Sequence, residues 1–314
     1  MTHTAPIGIA LAPRASAVNA VDDVIDQARS LQQAGIDRAW FAQRSDNDAL
    51  SLAAGVGSAV PGLHVGTSVV PINPRHPLVV ASQAQTAQAA SHRRFTLGLG
   101  LGARALEEPT FGVVTQRPIR RLREYLTVLR SVLTTGSVEF DGETLTAAPA
   151  LPAGVAGGDR PDIVVAAMGR QALAVSGELA DGIVPFLAGP RTLSEHIVPR
   201  LEAAARAAGR AQPRVIAGVA VVVTDAPERV RARAAEQMAF YDAIPSYQAV
   251  LQTEGVERAA ELAVIGSEDE VAAQLRRYVE AGATELLVTQ TELGGPADDA
   301  ATRRFLGALN SAGI

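Results

Sequence analysis

The chain has 314 residues, 47% of them hydrophobic, with a formal net charge of −5, no cysteine and 4% aromatic residues. That length suits one large α/β domain or two smaller ones and supplies ample sequence for a core. The lack of cysteine excludes a disulfide framework and thiolate metal sites; dispersed charge with few aromatics argues against nucleic acid; no apolar run is long enough to cross a membrane.

The opening residues MTHTAPIGIALAPRAS enter strand-like sequence with no basic start or long apolar stretch, which predicts a cytoplasmic protein without a signal peptide. PIGIALA (6–12) reads as a strand, VDDVIDQARSLQQAG (21–35) as an amphipathic helix stopped by Gly35, and IDRAWFAQ (36–43) as a second strand. In QRSDNDAL, Asp46 and Asp48 read as a helix N-cap and a first-turn acid. Further strands are predicted at 64–70, 94–100, 161–167, 182–186, 214–223 and 283–290, and helices near 77–91, 117–134, 170–180, 190–208, 226–241 and 268–282. Arg117, Arg120, Arg121 and Arg123 fall on a helix face with Glu124 as a local partner. Eight strands, each followed by helix, predict a parallel α/β sheet closed as a (β/α)8 TIM barrel, one domain over 1–314. Two insertions interrupt it: 136–160, whose EFDGETLT reads as a hairpin with a Gly-Pro-rich return, and 242–266.

In such a barrel the chemistry sits at the C-terminal ends of the strands. No Asp, Glu, His or Lys closes a predicted strand, and the histidines lack partners at ligand spacing, so no metal site is predicted and a cofactor is expected to carry the reaction. Three segments stand out. VGTSVVPINPRHP (65–77) begins as an apolar strand and breaks into a proline-stiffened loop after Thr67-Ser68-Val69. LGLGLGA (97–103) sets Gly98, Gly100 and Gly102 on alternate positions, which either admits a flat ring or backbone or is simply packing. VVAAMGRQALAVSGELADGIV (164–184) ends a strand at Met168, turns at Gly169 and starts a helix with Arg170 and Gln171. Free N–H groups, the positive end of the helix dipole and a guanidinium meet there, which makes either an anion site or an exposed helix start.

These segments, with RPIRRLREYLTVLRSVL and AGIDRAWFAQ, resemble the luciferase-like monooxygenase superfamily, and within it the branch that uses the deazaflavin coenzyme F420. The resemblance runs through nearly the whole chain. It implies a TIM barrel with an insertion, a homodimer, and flavin or deazaflavin bound at the strand C-termini. On this resemblance Thr67, Ser68 and Val69 lie behind the tricyclic ring, with a non-prolyl cis peptide at Ser68–Val69; Gly100 and Gly102 line the ring edge. Met168, Gly169, Arg170 and Gln171 form the turn that receives the cofactor phosphate. Arg75 and His76 either face the anionic tail of the cofactor or form a solvated loop pair. Gln43 holds the position where several members carry an acid/base His or Glu, and with Ser68 is the catalytic candidate. The expected activity is F420-dependent hydride transfer to or from a small molecule. The alternatives are an FMN-dependent monooxygenase and a non-catalytic flavin-binding barrel.

Overall fold

The computed structural model describes residues 5–102, 104–113 and 116–314. Eight parallel strands form a closed ring: β1 (Ile7–Ala10), β2 (Arg38–Phe41), β3 (His64–Thr67), β4 (Phe95–Gly100), β5 (Asp162–Ala166), β6 (Gly182–Ile183), β7 (Arg214–Val223) and β8 (Glu285–Thr289). The ring closes where Ile7 and Ile9 of β1 stand in register with Leu286 and Val288 of β8. This is the TIM barrel expected from the strand-helix alternation. The longest strand, β7, reads RVIAGVAVVV because helices cover it on one side and the barrel interior on the other, so neither face needs polar residues.

The helices are punctuated as their sequences require. In α1 (Ala20–Gln33) the Asn19 side chain accepts from the backbone N–H groups of Val21 and Asp22, and Val24, Ala28 and Leu31 form the buried stripe. Asp48 caps α2 (Ala49–Ala59) by accepting from the Ser51 N–H, whereas Asp46 stays exposed and pairs with Arg44. His76 caps α3 (Pro77–Ala90). Beyond α4 (Arg104–Phe111), α5 (Pro118–Thr135) starts on a proline and ends at Gly136 with φ of 70°. Then α6 (Arg170–Leu179) follows β5. Glu124 of α5 lies near Arg120 and also accepts from the Glu143 and Thr144 N–H groups, tying the helix to the hairpin Phe140–Asp141 and Thr146–Ala147 of the first insertion.

Three differences from the sequence reading have local causes. The segment read as one strand over 64–70 breaks after Thr67, and Val70–Pro71 pairs separately with β4. Gly66 stands opposite Thr96 and Val70 opposite Leu99, so three residues on one side face two on the other, a bulge. Helices α2, α4 and Pro296–Ala312 were not delimited from the sequence. The burial of α2 reaches around much of its surface, so ALSLAAGVGSA shows no polar stripe. Within the second insertion, Val264–Gly266 extends the sheet outside the ring by pairing with the last residues of β7. Among the described residues no helix is long and apolar enough to cross a membrane.

Inside the barrel, side chains of alternate strand positions stack in layers. The middle layer holds Trp40, Val164, Ile216 and Leu287. Trp40 fills the lumen because Gly8 and Gly66 leave it space: a Cβ on either would come within 2.6 Å of the indole. Above this floor, toward the strand C-termini, the layer is made of small side chains, Ala10, Val69 and Ala166, all partly exposed.

Candidate active site

The small upper layer lies over Trp40 at the end of the barrel where the loops that follow the strands gather. On one side of it stands the bulge between β3 and β4. The Ser68–Val69 peptide is cis. The Ser68 N–H donates to the Phe41 carbonyl at 2.8 Å, and the Gln43 N–H donates to the Val69 carbonyl at 3.4 Å, which fixes the bulge to the end of β2. The Thr67 hydroxyl is fully buried and both donates to the Gly98 carbonyl and accepts from the Gly98 N–H, each at 2.8 Å. Thr67 thus replaces the ladder bonds that the bulge interrupts and has no hydroxyl capacity facing the mouth.

The alternating glycines serve that same bulge. A Cβ on Gly98 would lie 1.8 Å from the Thr67 carbonyl oxygen, and one on Gly100 would lie 2.7 Å from a Val69 methyl. Gly102 has φ of 74°, where glycine carries no steric penalty, and a Cβ there would meet the Glu107 carboxylate at 1.9 Å. The close approaches at Gly98 and Gly100 are therefore made by the protein's own bulge. Ala103, which ends the glycine segment, lies outside the described residues.

Gln43, Arg75 and His76 are held by protein partners. The Gln43 amide donates to the Arg44 and Asn47 carbonyls at 2.9 and 3.1 Å, and its oxygen accepts from the Ala49 N–H and from both terminal nitrogens of Arg75 at 3.2 Å. Arg75 also pairs with the Asp48 carboxylate. His76 Nδ1 accepts from the Leu78 N–H at 3.3 Å, so its Nε2 carries the proton and donates to the Thr146 carbonyl at 2.8 Å. These three side chains lock the proline-rich loop to α2, α3 and the hairpin. Ser68 differs, since its hydroxyl has no partner among the described residues and it is half-buried at the mouth.

Across the mouth, α6 begins without a side-chain cap. Gly169 has φ of −74°, so the turn needs no left-handed residue, and a Cβ added there would meet nothing within 4 Å. Arg170 and Gln171 are exposed, and the Arg170 guanidinium has no partner among the described residues. Unsatisfied N–H groups of the first turn, open space at Gly169 and a free cation coincide. From Gln171 a groove of about 340 Å³ runs between α5 and α6, walled by Ile119, Ala174 and Val175 with Arg120 and Arg123. Met168, read as the strand's end, lies two residues beyond β5 and is half-buried below this turn.

Glu107 escapes a reading based on strand ends, whereas Gln290 is the last residue of the strand read over 283–290. Glu107 arrives from α4: it is 5% exposed, accepts from Asn73 Nδ2 at 2.5 Å through Oε2, and leaves Oε1 buried without a partner. Gln290, after β8, adopts φ of 56° and also buries an unpartnered side-chain oxygen. The NP turn at Asn73 and the acid five residues after Gly102 were the available signals.

The sequence pattern of the luciferase-like monooxygenase family matches residues 1–285. The 5,10-methylenetetrahydromethanopterin reductase of Methanopyrus kandleri is 26% identical over 258 residues, 75% of this chain and 72% of its own length. The solved coenzyme F420-dependent tetrahydromethanopterin reductase of that organism has the same fold, with a TM-score of 0.80 at 20% identity over 97% of both chains. The oxygenating constituent of 3,6-diketocamphane monooxygenase from Pseudomonas putida, solved with FMN, gives 0.74 at 16% identity over 97% of both chains.

Proposed function

The chain belongs to the luciferase-like monooxygenase family, and within it we propose that the protein is a coenzyme F420-dependent oxidoreductase moving a hydride between the deazaflavin and a small organic substrate. The reading is carried by the start of α6, where an uncapped helix terminus and an unpaired Arg170 offer a phosphate its hydrogen bonds and counter-charge. The small upper layer above Trp40 is compatible with a flat ring. When bound, the deazaflavin supplies the hydride chemistry. Ser68, Val69, Gly100 and Gly102 are the residues to line the ring, and Met168, Gly169, Arg170 and Gln171 those to hold the phosphate.

The chain's own contribution is positioning. Thr67 holds the bulge in register with β4, and Gln43, Arg75 and His76 hold the loop above it. With Gln43 fully engaged by protein groups, the Ser68 hydroxyl is a group at the mouth free to hold or pass a proton at Oγ, in addition to the more deeply buried Glu107. F420 is favoured over FMN by the relatives whose names carry F420; FMN is the second reading, supported by the FMN-bound neighbour and by the same anion-binding turn. A homodimer is the assembly that goes with this reading.

The sole tryptophan, Trp40, lies directly beneath the small upper layer and is placed to report binding there. Titration with F420 and with FMN should quench its emission, with F420 at least tenfold tighter, a difference of about 1.4 kcal/mol. Tighter FMN binding with NADPH-driven oxygen consumption would replace this reading with the monooxygenase one.

A further inference from the structure

A second cavity, of about 420 Å³, opens at the opposite, N-terminal end of the barrel. That volume lies within the range of small-molecule pockets, roughly 300–1,000 Å³. Five arginines line it, Arg38, Arg93, Arg94, Arg160 and Arg214, against two carboxylates, Asp162 and Glu285. Most of these charges are spoken for. Arg214 bonds Asp162 at 2.8 Å and Glu285 at 2.9 Å; Arg160 pairs with Asp181, and Arg38 lies near Asp37 and Glu285. Arg94 is the exception. It has no carboxylate partner among the described residues, and its side chain donates from Nε to the Leu63 carbonyl at 3.3 Å, leaving the terminal nitrogens free.

His64 stands beside Arg94 at the start of the adjacent strand, since Val65 is in register with Phe95, and its ring has no hydrogen-bond partner among the described residues. A second observation marks the same wall. His92 and Arg93 both adopt the left-handed region, with φ of 51° and 68°, in the turn that delivers Arg93 and Arg94 to the cavity. Two consecutive non-glycine residues in that region are uncommon, and such conformations persist where position matters. Glycine would satisfy the turn but would not supply the Arg93 guanidinium.

We propose that this basal cavity is a binding site for a compact, doubly charged oxyanion of the phosphate or sulfate type, held on the wall formed by Arg93, Arg94 and His64. Arg93 keeps a partner at the rim in Asp159, an exposed pair that a ligand can displace at little cost. The anion sits on the side away from the Arg214 pairs, where among the described residues Asp159 at the rim is the carboxylate it must displace. His64 faces Arg38, Arg94 and Arg214 together with Asp37, Asp162 and Glu285. Burial first, and then the Arg38 charge, hold its imidazole below the ordinary value. A bound anion favours the imidazolium, so binding takes up a proton and tightens as pH falls. The site is independent of the cofactor assignment at the other end.

The test is calorimetric titration with sodium sulfate, against sodium chloride at matched ionic strength, in an Arg170→Ala background that removes the guanidinium of the upper anion site. Sulfate, which does not titrate in this range, should bind at one saturable site and more tightly at pH 6 than at pH 8. Arg93→Gly and Arg94→Gln should each weaken it at least tenfold, whereas His92→Gly, which keeps both guanidiniums, should leave it unchanged. Arg93→Gly should also raise the melting temperature without sulfate, so its loss of binding cannot be misread as misfolding. Glycerol 3-phosphate binding more tightly than phosphate at one pH would assign the remaining volume to an organic phosphomonoester, and equal binding would assign the free ion. A sulfate response equal to chloride, or one that survives Arg93→Gly and Arg94→Gln, overturns the site; binding indifferent to pH overturns the role of His64.

Discussion

The two ends of the barrel are built from the same eight strands, yet they close in opposite ways. At the C-terminal mouth the inward layer is small and uncharged, and the polar side chains that surround it are committed to holding loops. At the N-terminal base the inward layer is charged: Glu285, 3% exposed, is bridged by Arg214 and approached by Arg38. A mouth whose inward layer is small and uncharged suits the proposed cofactor, which would bring its own chemistry. A base of paired charges fixes strand positions instead, which is the division of labour between function and stability common to barrels of this kind.

That contrast can be broken most strongly at the base. Glu285→Gln leaves two guanidiniums undercompensated in a buried setting and should cost about 3 kcal/mol or more in chemical denaturation, with cofactor affinity at the mouth unchanged. A loss under about 1 kcal/mol would mean the base is solvated and its ion pairs are incidental.

At the mouth, two glycines give opposite expectations. Gly98→Ala drives a methyl into the Thr67 carbonyl and should cost about 2–3 kcal/mol, because the bulge must shift. Gly169→Ala meets empty space at an ordinary φ and should leave stability within about 0.5 kcal/mol. If both variants melt alike, the bulge is more compliant than its geometry implies.

Arg170→Ala separates binding from folding. Loss of one charge-assisted contact should weaken F420 about ten- to a hundredfold, or about 1.4–2.7 kcal/mol, while the melting temperature stays that of the parent. Unaltered affinity at low and moderate salt would leave only the backbone N–H groups to hold the phosphate.

Smaller effects sharpen the picture. His76→Ala removes the cap of α3 and its bond to Thr146, and should cost about 1 kcal/mol without changing the charge at the mouth. His64 supplies the pH dependence. Its folded value is depressed by burial and by Arg38, so the unfolded chain binds more protons just below the ordinary histidine value. Stability should therefore rise with pH up to about 6.5 and be lost as pH falls through the folded value. His64→Asn should flatten that slope in melting curves recorded across the window.

Some of this was legible in the residues and some was not. An abrupt end to the strand was visible as prolines 71, 74 and 77 following an apolar run, because proline cannot continue a ladder, but that reading carried the strand through residue 70 and missed the break after Thr67. The uncapped turn at Gly169 was visible as a strand ending against a helix with arginine first, although glycine there proves to serve openness and not a left-handed turn. The glycines at 98 and 100 could be read as space for a ring or for backbone, and only the register showed a neighbouring carbonyl and methyl in that space. Arg75 and His76 looked available for an anion until Gln43, Asp48 and Thr146 came to meet them from segments distant in the chain.

The sequence by itself determined the strand-helix alternation and the breakers, because those depend on periodicity and on local backbone chemistry, although the cap of α2 proved to be Asp48 and not Asp46. Which polar groups stay free was decided by the tertiary structure. Closing eight strands into a ring brought Arg38, Arg214 and Glu285 together at one end and folded Glu107 onto Asn73 at the other. Side chains far apart in sequence became one another's partners, and Arg170 at the mouth and Arg94 with His64 at the base are among the groups left over after those distant pairings are made.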